Sequence, residues 1–377
     1  MKRLFVTALG SLLVFITAAA EPLLSKPLFE IEGAFEDAVI HKEHLILSAR
    51  EAEMGEPDLR IFSLHGKGTP KESGLYYSTG NAHSIALSGQ FLLIANGEMG
   101  VDIVDLKNLK QPREVASIEL EGFSQKVVVS GDFAYVASGF YGMHTIDISN
   151  PHAPHLVSTF QAYAPPTKSM LTEEEADGLF AVNSEQEGGG ALNMESSENY
   201  YDADDLPAYE DVEEEVSLKD IERSDGVMDL LLSGNTAFIA YGSAGIISVD
   251  ISDPGNIKKL QELRLDWPVE HLLLDKGLLH AVTGVGGVQL IDVTQPDKMT
   301  LQGNYRTFCY PQDLVQAGET IYIADGYCGG DSLIALTFDN DYKTTLKPAY
   351  SGDVGNVAAS GGMLFSMAPD KVYAFKP

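Results

Sequence analysis

The chain has 377 residues, 44% of them apolar, with 36 Gly and 17 Pro, enough for one large domain or two ordinary ones. Its 25 basic against 55 acidic residues leave a net charge of −30. That excludes binding of nucleic acid or anionic lipid through a basic patch, and the sequence contains no such patch. In chain order, Met1-Lys2-Arg3 is a short positive segment, Leu4 to Thr17 is apolar, and Ala18-Ala19-Ala20 precedes Glu21. This is the layout of a secretory signal peptide over residues 1–20, cut after Ala20, with an apolar stretch short for a membrane span. No later segment is apolar and long enough to cross a bilayer, and no Cys stands at the cleavage point to carry a lipid. The mature protein is therefore expected to be exported, to the periplasm, the cell surface or the medium.

A turn residue followed by Gly recurs at Ser88-Gly89, Ser130-Gly131, Ser233-Gly234, Lys276-Gly277, Ala317-Gly318 and Ser360-Gly361. The intervals between these glycines are 42, 103, 43, 41 and 43, the long one being a repeat plus an insertion. His41-Lys42 opens a divergent first copy. Each copy has one grammar. A short apolar run meets the Gly turn, which accepts positive φ. An alternating run such as Phe133-Ala134-Tyr135-Val136-Ala137 follows, with the period of a half-buried strand. Then come a Gly-rich loop, a third strand ("DIVDL", "TIDIS", "SVDIS", "LIDVT"), a turn containing Pro, and an outer strand such as "HLVSTF".

Four antiparallel strands in about 42 residues, repeated seven times, predict an all-β fold, a seven-bladed β-propeller. An open ring would leave a bare strand edge. The last copy stops after three strands, whereas "KPLFEIEGAF" (26–35) resembles an orphan fourth strand, so the N-terminal strand is expected to complete the last blade. The period places blades at about 38–80, 81–122, 123–165, 225–266, 267–309, 310–352, and 353–377 with 26–37. The third-strand aspartates Asp105, Asp147, Asp250 and Asp292, replaced by Ser63 and Ala335 elsewhere, recur once per blade and read as structural acceptors for turn donors.

"VDIVDL", "HTIDIS", "ISVDIS" and "QLIDVT", each after a strand like "FAYVASG" and before an Asn/Asp-Pro turn, resemble the LVIVD-repeat proteins. The resemblance covers nearly all of the mature chain except the insertion. It implies an exported propeller and implies no reaction.

In a propeller, the connections between blades and the loops joining strands two and three share one face, where ligands gather by fold-level expectation. Three features fall there. Cys309 and Cys328, the only cysteines, lie in the connection entering blade six and in that blade's Gly-rich loop, and are a disulfide candidate in an oxidising compartment. The insertion, 166–224, carries 18 acidic and three basic residues, a net −15. It is a solvated loop, a docking segment for a basic partner, or a weak calcium site through Asp202, Asp204 and Asp205, although their spacing does not match a calcium loop. Third, counting five back from each turn gives a channel-mouth ring of His83, Gln125, Met228, His271, Gln312 and Gly355, with Asp229 and Asp313 one further on. Phe123, Trp267 and Tyr310 lie close by in the connections. The ring is a candidate ligand site or the hydrated lining of a channel.

His41/His44 and His152/His155 have metal-like spacing but fall near turns of the opposite face, with no third ligand nearby. No nucleophile elbow, His-Glu-x-x-His motif or phosphate loop occurs. The reading is thus a non-catalytic propeller, without a required cofactor, that binds a protein or surface polymer, possessing as its alternative a metal-assisted hydrolase or lyase built on His83, His271, Asp229 and Asp313.

Overall fold

The structure is a computed structural model that describes residues 23–24, 26–50, 56–66, 68–78, 80–163, 226–307, 309–326, 332–338, 344–352 and 354–377. The expected signal segment 1–20, the insertion 166–224 and Cys328 lie outside the described residues. After β1 (Phe29–Glu32), blade one holds β2 (Phe35–His41), β3 (His44–Ala49), β4 (Leu59–Ser63) and β5 (Lys71–Tyr76). Blade two holds β6 (Ser84–Ser88), β7 (Phe91–Ala95), β8 (Val101–Asp105) and β9 (Arg113–Ile118). Blade three holds β10 (Lys126–Ser130), β11 (Phe133–Ala137), β12 (Met143–Asp147) and β13 (His155–Phe160). Blade four runs β14 (Asp229–Ser233), β15 (Thr236–Ala240), β16 (Ile246–Asp250) and β17 (Lys258–Leu263). Blade five runs β18 (His271–Asp275), β19 (Leu278–Val282), β20 (Val288–Asp292) and β21 (Thr300–Tyr305). Blade six runs β22 (Tyr310–Ala317), β23 (Thr320–Gly326), β24 (Ser332–Phe338) and β25 (Thr344–Ser351). The last blade has β26 (Asn356–Ser360), β27 (Met363–Met367) and β28 (Lys371–Phe375), with sheet order β1-β28-β27-β26.

All seven sheets are four-stranded and antiparallel, and β1 is the outer strand of the last blade, in the register Phe29↔Ala374 to Glu32↔Lys371. The ring is closed by its N-terminus, as the repeat count predicts. Blade one begins at Phe35, so residues 35–37 lie on its inner strand and not in the last blade.

The second strands depart from the half-buried expectation. β11 and β15 are buried at four consecutive positions. The reason is that each blade faces a neighbour on both sides, so both strand faces need apolar side chains. The core accordingly sits between blades. One cluster joins Tyr135, Ala137 and Met143 of blade three to Val227, Ile239 and Ile247 of blade four. Another joins Phe365, Val372 and Ala374 of the last blade to Phe35, Ala38 and Leu45 of the first, sealing the closure.

Local chemistry explains the repeated letters. The Oδ1 atoms of Asp105, Asp147 and Asp250 each accept the N–H two residues on at 2.8 Å, and Asp292 does so at 2.9 Å, starting the turn to the outer strand. These bonds hold Asp147 and Asp250 below the usual carboxylate range. The Gly that ends the second loop is required twice over. Gly142 has φ of +86°, and a Cβ there would stand 2.2 Å from the Phe160 carbonyl oxygen.

Candidate functional site: the polar channel and the loop-bearing face

The inner strands β2, β6, β10, β14, β18, β22 and β26 line the axis. The residues just before their hairpin turns are His41, Ser88, Ser130, Ser233, Asp275, Ala317 and Ser360, each paired across two turn residues. Counting from these positions corrects the sequence-based ring. In blades two, three, four and six only the first turn residue, a Gly, has positive φ. In blade five both turn residues do, Lys276 at 49° and Gly277 at 85°, so the Gly stands second. A count anchored on Gly therefore slips by one in blade five. His271 belongs with Asp229 and Asp313, and its place in the mouth ring is taken by Glu270.

The mouth layer is thus Glu36, His83, Gln125, Met228, Glu270, Gln312 and Gly355. The waist layer below it is Asp37, Ser84, Lys126, Asp229, His271, Asp313 and Asn356. Glu36, Asp37, Ser84, Lys126, Glu270 and Asn356 were missed by the sequence reading; the first-blade pair could have been found by extending the count to the His41 turn, and Ser84, Lys126 and Asn356 by stepping one residue on in every blade.

The waist layer has a definite hydrogen-bond scheme. Asp229 Oδ1 accepts the N–H of Leu230 at 2.8 Å, while its Oδ2 accepts that of Leu272, in the next blade, at 2.9 Å. Asp313 repeats this with Leu314 at 2.7 Å and Val357 at 2.9 Å. Asp37 does so with Ala38 at 2.8 Å and Ile85 at 3.0 Å. Ser84 Oγ accepts the Val127 N–H at 3.5 Å and donates to Asp37 Oδ2 at 3.3 Å. Four acceptors in blades one, two, four and six therefore clamp each of these blades to its successor. The remaining three positions hold donors, each flanked by acceptors. His271 Nδ1 lies 3.9 Å from Asp229 Oδ2 and 3.8 Å from Asp313 Oδ1. Asn356 Nδ2 donates to the Glu36 carbonyl at 3.4 Å.

Half-buried Lys126 is the third donor. Burial opposes its charge, but Asp229, Asp37, Asp313 and Glu36 outweigh that and hold its ammonium above the ordinary lysine range. Burial raises Asp313, against the opposing pull of His271, the Val357 N–H and Lys126.

At the mouth the predicted residues are built into the connections. The His83 and Phe123 rings pack against each other, tilted at 56° with 4.7 Å between centroids. Gln125 Nε2 donates to the Val227 carbonyl. Tyr310 donates its hydroxyl to Glu270 Oε1 at 2.9 Å, with its ring against Gly284. Trp267 covers Gly286, where a Cβ would stand 2.3 Å from Trp267 Cδ1. Gln312 lies against Gly326, and Arg50 reaches Glu36 at 3.7 Å. Cys309 is disulfide-bonded, and its N–H donates to Asp325 Oδ2 at 3.1 Å. Asp202, Asp204 and Asp205 lie outside the described residues. Among the described residues no group of three or more His, Cys, Asp or Glu side chains is arranged to hold a metal ion, and no helix is long and apolar enough to cross a membrane.

The two ends of the ring differ in their surface. Bridges Gly97↔Ser124, Gly139↔Val227 and Gly242↔Val269 tie the second loops of blades two, three and four to the connection entering the next blade, on the loop-bearing face. Tyr77, Met99, Phe123, Tyr141, Trp267 and Val285 all lie in those loops and are 36% to 60% exposed. Among the described residues the hairpin-turn face has no exposed large apolar side chain, and the others lie near the N-terminus or on outer strands.

Seven four-stranded blades around a polar axis define a β-propeller. Three of its repeats match the LVIVD repeat, at residues 79–119, 121–162 and 226–259, the second, third and fourth blades. No curated protein matches the sequence. Among solved structures, a chain of the mitotic checkpoint complex is similar with a TM-score of 0.63 at 11% identity, covering 98% of this chain and 99% of that one. The WD40 propeller domain of Doa1 is similar with a TM-score of 0.57 at 13% identity, covering 94% and 96%. A protein from Lactobacillus plantarum gives 0.60 at 12%, covering 86% and 88%. At such identities the likeness concerns the fold alone.

Proposed function

We propose that the protein is an exported, non-catalytic binding module that holds a partner protein or surface polymer on its loop-bearing face, with the acidic segment 166–224 contributing to capture. The observation that carries this reading is the one-sided surface: six exposed apolar side chains in the loops of one face, against none, among the described residues, in the turns of the other. Export is supported by the charged, apolar and small-residue order of residues 1–20 and by a cysteine held in a disulfide. The similar chain from the mitotic checkpoint complex offers a precedent for this fold within an assembly.

The hydrolase or lyase alternative would place its chemistry on His83, His271, Asp229 and Asp313. Both carboxylate oxygens of each aspartate already accept backbone N–H groups, which favours the binding reading. The test is capture from the source organism's envelope fraction by mature protein with and without residues 166–224, and with Trp267→Ala. A partner kept by the full protein and released by both changes supports the reading; no partner for any form overturns it.

A further inference from the structure

The loops over blades two and three form one tract of the loop-bearing face. The Gly97↔Ser124 bridge joins the loop 96–100 to the connection 119–125. That connection in turn lies against Tyr141, since a Cβ on Gly122 would stand 2.8 Å from Tyr141 Cδ2. Met99, Phe123 and Tyr141 are exposed on this tract, and Glu98, Glu119 and Glu121 are exposed around them. The segments 77–83, 96–100, 119–125 and 138–142 contain these three glutamates and neither lysine nor arginine. Over blades four to six the loops differ, for they carry Arg264 and Arg306.

We infer that this tract docks a cationic peptide segment of a partner protein, one with lysine or arginine set among apolar side chains. The inference rests on the binding reading above and narrows it. Apolar anchors on Met99, Phe123 and Tyr141 exclude water, and cationic groups meet both the carboxylates and the exposed ring faces. Charge complementarity selects the occupant. A second copy carries the same net charge of −30 and is repelled, as is the chain's own segment 166–224 at −15. An uncharged polymer would hydrogen-bond to the three carboxylates but draw no charge–charge attraction from them.

The test uses the full mature chain and two short synthetic probes of equal length, a lysine–tryptophan peptide and a glutamate–tryptophan peptide, followed by fluorescence anisotropy. The cationic probe should bind, weakening as salt rises, and the anionic probe should not. The double variant Phe123→Ala/Tyr141→Ala should lose about tenfold in affinity. The triple variant Glu98→Gln/Glu119→Gln/Glu121→Gln, which leaves packing untouched, should lose about threefold to tenfold and flatten the salt dependence. Leu301→Ala, on an outer strand, should change neither. Equal binding of the two probes, or unchanged affinity in both tract variants, overturns the inference. If both tract variants still capture the envelope partner, this inference fails while the binding reading stands.

Discussion

Replacing Asp229 by Ala tests the inter-blade clamp. Its two oxygens satisfy two buried backbone donors, Leu230 N–H at 2.8 Å and Leu272 N–H at 2.9 Å, the second in the following blade. An unsatisfied buried donor costs about 1–3 kcal/mol, so two cost about 2–6 kcal/mol. Two effects reduce that sum. Removing one carboxylate relieves repulsion with Asp313, and His271 is exposed enough for channel water to reach the site. The expected loss is therefore about 2–4 kcal/mol, and about 1–3 kcal/mol for Asp229→Asn, which keeps one accepting oxygen. Urea unfolding followed by circular dichroism reads it as a lower midpoint at unchanged slope. Hydrogen exchange gives a local reading, because the Leu272 amide should lose protection beyond the global change. Glu98→Ala, on an exposed loop, is the control and should stay within about 0.5 kcal/mol. An Asp229→Ala loss no larger than that of the control, with Leu272 still protected, would refute the clamp.

Three other outcomes are expected. Gly142→Ala should cost at least about 2 kcal/mol in thermal or urea unfolding, from positive φ and the clash with the Phe160 carbonyl, whereas Gly131→Asn, at φ of +58° with nothing within 4 Å of its Cβ, should cost under about 1 kcal/mol. Fully buried His280, against the Tyr305 hydroxyl, is pushed down to about 4 by burial. Its folded pKa is depressed, so its neutral form contributes stability above the ordinary 6.5, and about 3 kcal/mol is lost as pH falls from 6.5 to 4. Buried Asp102, raised to about 6 chiefly by burial, acts in the opposite sense, so the difference in melting temperature between wild type and His280→Gln across pH 7 to 4 is the measurement; parallel profiles would contradict the assignment. Deleting residues 23–34 removes β1 and bares the edge of β28, and size-exclusion chromatography should show self-association with a lower melting temperature; an unchanged monomer would show that closure is dispensable.

The sequence alone determined the repeat, the four-strand grammar, the number of blades and the closure by an orphan N-terminal strand. Each follows from local chemistry that recurs with a period: Gly at positive φ, an Asp capping its own turn, apolar runs of strand length. The burial of β11 on both faces was not legible, because an apolar run does not say how many neighbours will cover it. The channel was legible in part. His83, Gln125, Asp229 and Asp313 were placed by counting from the turns, but His271 was set one layer too high, since a two-residue turn can carry its Gly at either position and a slip of one residue moves a side chain to another layer. Only the tertiary structure could pair Asp229 with the amide of Leu272 and set Lys126, His271 and Asn356 each between acceptors around the axis. It alone collected six apolar side chains from separate loops onto one face. Both arrangements depend on which residues of different blades meet, and that is set by ring closure rather than by any segment of the chain.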